Sequence, residues 1–218
     1  DYDILTDREL HDEGAGVLAG YKAATTGSHP EYHTPETLDA LTGYRDTGGS
    51  LMYLGGNGFY WRVAVHSQEP GMIEIRRAEG GIRAWAAEPG EYYNAFDGGY
   101  GGLWRRNGRP PQDLCGVGFS AQGNFVGSHY NVTEGARTSR ASWILDGIAD
   151  ATFGGHGLSG HGAAGFELDR ADKALGTPEH AVILATSEGH EPEAPWVLVP
   201  EERLTHLRHR HRRRHGLH

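Results

Sequence analysis

A histidine and a glutamate separated by one proline are the first residues whose types and spacing suit chemistry. His29 and Glu31 lie in a segment predicted to be an extended loop, so their side chains point to the same side of the backbone. Pro30 between them stiffens that geometry. A neutral imidazole and a carboxylate act either as metal ligands or as acid–base groups, although His-x-Glu also arises by chance.

Two more polar residues follow glycine-rich stretches. Asn57 lies in Gly-Gly-Asn-Gly directly after an apolar run, where it is either an ordinary turn residue or an amide that orients a carbonyl or an oxyanion. Glu167 follows a loop rich in glycine and histidine, a position typical of an exposed carboxylate at a helix start that pairs with Arg170. The sequence contains no P-loop, His-Glu-x-x-His or Gly-x-Ser-x-Gly motif, which argues against nucleotide-dependent and serine hydrolase chemistry.

The elements around the first two candidates alternate between strand and helix patterns. Residues 21–26 and 50–54 are strand-like. A helix separates them, with Thr34 as its N-cap and Pro35 at its first position. Strand, loop, helix, strand and glycine-rich turn is the order typical of a parallel α/β sheet.

Each of those two strands is followed by a candidate loop. Ligands bind beyond the carboxyl ends of parallel strands, and consecutive strands are often neighbours. Loops 27–33 and 55–61 are therefore predicted to converge on one crevice. Downstream we predict strands at 59–65, 72–77 and 181–186, a helix at 139–148, and a glycine- and aromatic-rich insertion at 85–109.

Composition narrows the function classes. Glycine contributes 34 of 218 residues without a Gly-X-Y period, and no run of 18 apolar residues occurs, which indicates a globular domain with no membrane span. The net charge is −9, and without the Arg/His-rich residues 206–218 it is −14, because 15 basic residues then face 29 acidic ones. An acidic body disfavours nucleic acid as the main partner. The single cysteine, Cys115, excludes an internal disulfide, and with no signal peptide in view a cytoplasmic location is expected.

Three stretches near the start of the chain are specific enough to suggest a family. They are residues 5–11, 26–32 (TGSHPEY) and 51–61 (LMYLGGNGFYW). With weaker likeness at 74–77, 116–119 and 165–169, they resemble the C-terminal domain of the large (beta) subunit of N,N-dimethylformamidase. The resemblance covers most of residues 1–200.

The resemblance implies a fold and a reaction. The fold would be a three-layer α/β sandwich with a mainly parallel sheet, similar to class I glutamine amidotransferases. The reaction would be hydrolysis of a small N-substituted formamide to formate and an amine. The family's site holds a mononuclear ferric iron with two tyrosines and one glutamate.

The resemblance also assigns roles to residues of this chain. Glu31 matches the carboxylate ligand of the iron. His29 and Glu167 match polar groups that transfer protons near the metal, and Asn57 matches the residue that orients the substrate. The apolar wall that faces the N-methyl groups would come from Phe59 and Tyr60.

The residue patterns and the resemblance together predict how the chain is organised. Residues 1–205 would form the amidotransferase-like domain, with an insertion at about 62–135, and 206–218 a disordered basic tail. The family's tyrosine ligands precede the part that resembles residue 1, so we expect an N-terminally truncated chain with an incomplete iron site. The alternative is therefore a non-catalytic domain that binds a ligand or a partner chain. Expected partners are a small amide, further copies of the chain and a small second subunit.

Overall fold

The chain folds into two compact units, Asp1–Leu114 and Cys115–His218. The computed structural model describes residues 2–77, 88, 90–122, 127–156, 162–165 and 167–187, together with the backbone of 204–210. Each unit has small sheets of its own.

Short helices and strands make up the first unit. In chain order they are α1 (Asp7–Glu13), a 3-10 helix (Gly14–Leu18), β1 (Ala23–Thr25), β2 (Tyr32–His33), α2 (Pro35–Asp46), β3 (Ser50–Met52), β4 (Trp61–Val65) and β5 (Ile73–Ile75). The sequence then continues into α3 (Pro111–Cys115).

The elements β1, α2 and β3 form a parallel strand–helix–strand unit. β1 pairs with β3 in parallel, with Ala24 opposite Leu51. The N-cap of α2 is the predicted one: the Thr34 hydroxyl accepts from the Thr37 N–H, and the Thr37 hydroxyl accepts from the Thr34 N–H. Pro35 follows at the first helical position, so the predicted order of elements is confirmed here.

A second sheet of the first unit has the strand order β2-β4-β5 and contributes to its buried core. β2 pairs with β4 in parallel, and β4 pairs with β5 in the antiparallel sense. Trp61 of β4 is 1% exposed. Other buried apolar side chains of this unit include Leu38, Leu41, Tyr44, Leu51, Phe59, Leu103 and Trp104.

The second unit is built from antiparallel strands. Its described elements are β6 (Ala121–Gln122), β7 (Tyr130–Val132), β8 (Thr152–Phe153), β9 (Glu167–Leu168), β10 (Ala181–Ser187), β11 (Leu204–Arg210) and two 3-10 helices, Glu134–Arg137 and Lys173–Leu175. One sheet has the strand order β11-β10-β7-β8, and β6 pairs with β9. β10 confirms the strand predicted at 181–186. β11 includes residues 206–210 of the predicted tail, and 211–218 lie outside the described residues.

The α/β class is confirmed, but parallel pairing is confined to two short ladders in the described part of the chain. There, β1–β3 and β2–β4 are parallel and the other five strand pairs are antiparallel. A short link such as 66–72, between β4 and β5, reaches only an antiparallel neighbour, whereas a parallel neighbour needs a crossover such as α2. The layered sandwich and the amidotransferase likeness stay predictions.

The helix predicted at 139–148 is wrong. Ala141 and Leu145, four residues apart, are both buried in a cluster with Leu184. The backbone nevertheless closes successive turns, in which the N–H groups of Ile144 and Ile148 donate to carbonyls three residues earlier. Leu145, Ile144 and Ile148 contribute to the core, whereas Trp143 is 52% exposed, and tight turns bury the first three as well as a helix would. No helix in the described ranges is long and apolar enough to cross a membrane.

Candidate active site

The two loops predicted to converge, the His loop (27–33) and the Asn loop (55–61), are joined by backbone hydrogen bonds. The Phe59 N–H donates to the Pro30 carbonyl at 2.7 Å. The N–H groups of the next two residues both donate to the Glu31 carbonyl, at 3.1 and 2.9 Å. The predicted convergence is therefore confirmed, and it is made by main-chain groups.

A glycine permits the closest approach of the two loops. The Gly56 N–H donates to the Ser28 carbonyl at 2.9 Å. A Cβ at Gly55 would lie 2.1 Å from that same carbonyl oxygen. Such a contact is not possible without a backbone shift, so residue 55 must be glycine for the loops to join as they do.

Asn57 has a conformation and an unsatisfied oxygen that suit a ligand contact. Its φ is 51°, in the left-handed region that asparagine tolerates better than most residues. Its Oδ1 is buried and has no hydrogen-bond partner among the residues that the structure describes. Because a buried polar atom without a partner is costly, a bound molecule at this position would relieve that cost. The two ends of the amide exchange by rotation about χ2, so either can face a ligand.

Phe59 and Tyr60, the predicted apolar wall, are packed into the unit. Phe59 has a φ of 57° and is 1% exposed, and its ring lies 4.9 Å from that of His33 and 5.5 Å from that of Tyr53. Tyr60 is 7% exposed, and its ring meets that of Trp61 edge-on. Their described contacts are with protein groups, and their role against a substrate stays a prediction.

His33 is the last residue of the His loop, and its ring packs against Phe59 of the Asn loop. It is 3% exposed. Its Nε2 is 3.1 Å from the Pro30 carbonyl, which only accepts, so Nε2 carries a proton and donates. Its Nδ1 lies 3.1 Å from the Thr37 hydroxyl. Burial lowers the pKa of His33 below the ordinary 6.5, against the opposing charge of Asp7, which favours the neutral ring.

His29 is exposed and borders a cavity of about 390 Å³, whose lining is both apolar and polar and includes Asp3 and Asp7. Leu10, Leu41 and Leu51 are among the residues that line this cavity, and His29 and His33 line it too. Glu31 and Asn57 are not among its lining residues. His29 therefore lies where the cavity and the loop junction meet.

The described residues form no metal site of the common histidine, cysteine or carboxylate type. Glu31 is half-buried beside the junction and is the residue that the resemblance assigns to iron. Across the ranges that the structure describes, no three His, Cys, Asp or Glu side chains are placed to hold a metal ion together. Glu31 is thus a single carboxylate donor here.

Glu167 belongs to the second unit. It is half-buried in β9, where it lies opposite Gln122 of β6. Its predicted position at a helix start is therefore wrong, since the residues around it form a strand ladder. Next to it, the buried Asp169 accepts from the Gly118 N–H at 2.9 Å, which joins two of the stretches that carry the resemblance.

Comparison with known proteins decides the family. Residues 1–216 match the model of a family described as N,N-dimethylformamidase beta subunit-like, C-terminal. The chain belongs to this family. The resemblance inferred from its motifs is confirmed.

Two curated relatives extend this comparison. They are proteins named N,N-dimethylformamidase beta subunit, one from Paracoccus aminophilus and one from Alcaligenes sp. Each is 40% identical to this dimethylformamidase-type chain over 204 residues, which is 93% of the chain and 26% of the relative. The chain thus spans about a quarter of the length of the curated relatives it matches.

The structure brings five of the six predicted site residues into the two joined loops. They are His29, Glu31, Asn57, Phe59 and Tyr60. Sequence reasoning missed two residues that hold these loops: His33, and Tyr53, whose hydroxyl accepts from the Gly58 N–H at 2.9 Å. The available signal was weak, since an aromatic residue near a glycine-rich turn and a histidine near another histidine have no distinctive spacing.

Proposed function

We propose that this chain carries catalytic residues of an amidohydrolase that converts a small N-substituted formamide to formate and an amine. Family membership supports the amide class of substrate. The observation that carries the proposal is the hydrogen-bonded junction, which holds the loop of His29 and Glu31 against the loop of Asn57. These hydrogen bonds support a site to which an imidazole, a carboxylate and an amide contribute from neighbouring loops.

The reaction needs three actions from the protein. His29 removes a proton from water as the water oxygen attacks the formyl carbon. The Asn57 amide, with its Nδ2 turned to the substrate, donates to the carbonyl oxygen and stabilises the negative charge that develops there. A carboxylic acid, the role that the resemblance assigns to Glu167, delivers a proton to the nitrogen as the C–N bond breaks, which releases formic acid and a neutral amine. The proton held by His29 then restores this carboxylic acid, and formic acid loses its own proton to the solvent to become formate.

Iron is a separate part of the proposal. Glu31 would supply one carboxylate ligand, and the two tyrosines that the resemblance implies have no counterpart assigned in this chain. No step above is therefore routed through the metal. Iron content and a tyrosinate band in the visible spectrum of the purified complete protein test this part, and Glu31→Gln should lower both.

The relatives' names bear on assembly. Both are called beta subunits, which supports a complete protein that works within a multi-subunit complex. A small second subunit and further copies of the chain are the partners we propose. The mass of the native complex, measured by light scattering with and without a candidate small subunit, tests this assignment.

Product release tests the catalytic proposal. The complete protein is incubated with N,N-dimethylformamide, and formate and dimethylamine are followed by proton NMR. We expect equimolar products, and a loss of about a hundred-fold or more in rate for His29→Gln. For the iron measurements on Glu31→Gln, Glu36→Gln is the matched control, because Glu36 is exposed on α2 beside His11. Absence of products from the unaltered protein would favour a non-catalytic binding domain.

A further inference from the structure

The side chain of His33 contacts three parts of the first unit. These are the His loop to which it belongs, the start of α2 and the Asn loop. Its Nε2–H donates to the Pro30 carbonyl, and its Nδ1 faces the Thr37 hydroxyl. Its ring also packs against Phe59 of the Asn loop. None of these contacts reaches the exposed surface, since His33 is 3% exposed.

The Pro30 carbonyl is shared by both loops. It accepts from the Phe59 N–H at 2.7 Å and from His33 Nε2 at 3.1 Å. This carbonyl belongs to the peptide unit whose N–H is that of Glu31, and that N–H donates to the His29 carbonyl at 2.8 Å. The orientation of this peptide unit therefore constrains the backbone of Glu31 directly, and that of His29 through the hydrogen bond between them.

The partner of that carbonyl is strained. Phe59 holds a φ of 57°, a left-handed conformation that is strained for a bulky residue. Such a conformation persists where the surroundings over-determine it. The His33 ring against one side of Phe59 and the Tyr53 ring nearby supply that constraint.

We propose that His33 is the positioning residue of the active site: through the Pro30 carbonyl and the Phe59 ring it sets the placement of His29 and Glu31 relative to Asn57. Its kinetic consequence rests on the proposed function, and its geometric consequence does not. His33 itself touches no substrate in this account. A displacement of about 1 Å in a catalytic group is enough to lower a rate about a hundred-fold.

A matched pair of variants distinguishes the effect of the hydrogen bond to the Pro30 carbonyl from the effect of the volume of the His33 side chain. His33→Gln keeps an N–H donor near the position of Nε2, and His33→Met has similar length and no donor. His33→Asn is the second test, because its amide reaches the Thr37 side and not the Pro30 carbonyl. His66→Met is the control: the His66 ring also packs on a phenylalanine, Phe96, but its Nδ1 accepts backbone N–H groups within the turn after β4.

Two readouts are measured on the complete protein. The first is amide hydrogen exchange at Phe59, with the core amide of Arg62 as reference for global unfolding. We expect exchange at Phe59 to rise roughly ten-fold in His33→Met and His33→Asn, and to change little in His33→Gln and His66→Met. The second is formate release, for which kcat should fall about a hundred-fold in the same two variants at nearly constant KM.

The outcomes are distinguishable. If Gln and Met at position 33 behave alike in both readouts, or if both leave exchange at Phe59 unchanged, the positioning role is wrong. If the unaltered protein releases no formate, the proposed function fails, and exchange at Phe59 alone decides the role of His33. If the Met variant does not fold, the comparison of Asn with Gln decides it in the same way.

Discussion

Asn57 combines a left-handed backbone with a side-chain amide, and two substitutions test these two features separately. Glycine adopts a φ of 51° freely, whereas alanine in the left-handed region costs about 1 kcal/mol. We therefore expect Asn57→Ala to lower the free energy of unfolding by about 1 kcal/mol and Asn57→Gly to leave it unchanged. Urea denaturation of the two variants measures this difference.

The same two variants test the role of the Asn57 amide. Both lack the side-chain amide, so both should lose formate release by about a hundred-fold, as loss of an oxyanion donor does. If Asn57→Gly retains the full rate, Asn57 is an ordinary turn residue. Initial rates at saturating N,N-dimethylformamide provide the comparison.

The buried His33 makes folding stability depend on pH. Burial lowers its pKa in the folded chain, while the unfolded chain takes up a proton near the ordinary 6.5. The unfolded state then binds more protons as pH falls below 6.5, so stability is lost on acidification. We expect this acid-side loss to be smaller in His33→Gln, measured as unfolding midpoints between pH 7 and pH 5. Equal midpoint shifts in the two proteins would contradict this origin.

At the residue scale, the sequence identified residues with candidate chemistry more readily than the residues that hold the two loops together. His29, Glu31 and Asn57 stand in short motifs with recognisable chemistry. His33 acts through a carbonyl three residues earlier and through a ring of the other loop. Those contacts exist only after the loops have met. The left-handed backbone of Phe59 could not be predicted from the sequence either, because aromatic residues rarely adopt this conformation.

Among the elements, the loop junction depends on one glycine. A Cβ at residue 55 would lie 2.1 Å from the Ser28 carbonyl oxygen, while a Cβ at Gly27 would meet nothing within 4 Å. We expect Gly55→Ala to lower the free energy of unfolding by roughly 1–3 kcal/mol and to abolish formate release, because the two loops must separate. Gly27→Ala, in the facing loop, is the matched control. Similar behaviour of the two variants in denaturation and product assays would argue against a tight junction.

Element prediction succeeded where local chemistry decides the structure. The Thr34 cap and Pro35 start α2 as their types require, and the strand on either side of that helix pairs in parallel. It failed at 139–148, where burial of Ala141 and Leu145 is compatible with a helix and with turns. Local sequence does not distinguish the two, since the choice depends on how the second unit packs.

At the scale of the whole molecule, the resemblance assigns a proton-transfer role to Glu167, which belongs to the second unit. Glu167→Gln should lower formate release about a hundred-fold with little change in the unfolding midpoint, because a half-buried carboxyl becomes a neutral amide of the same size. Glu179→Gln is the control, since Glu179 is highly exposed and pairs only at the surface with Lys173. Rates and thermal melts of both variants are compared. An undiminished rate in Glu167→Gln would remove the second unit from the mechanism.

The arrangement of the whole chain was the least predictable level. The family is recognised from motifs near the start, yet the described chain divides after Leu114, inside the region predicted as an insertion. Composition changes gradually there, and no linker marks the division. Antiparallel pairing between distant segments such as β7 and β10 depends on contacts across about fifty residues, which local patterns do not encode.

The most direct test of the central claim is a double-mutant cycle across the two loops. Formate release is measured for the complete unaltered protein, His29→Gln, Asn57→Gly and the double variant. Groups that act on one transition state are strongly non-additive, so we predict that the double variant loses little more than the more impaired single variant. Losses that multiply, or no formate from the unaltered protein, would contradict a single formamide-hydrolysing site built from these loops.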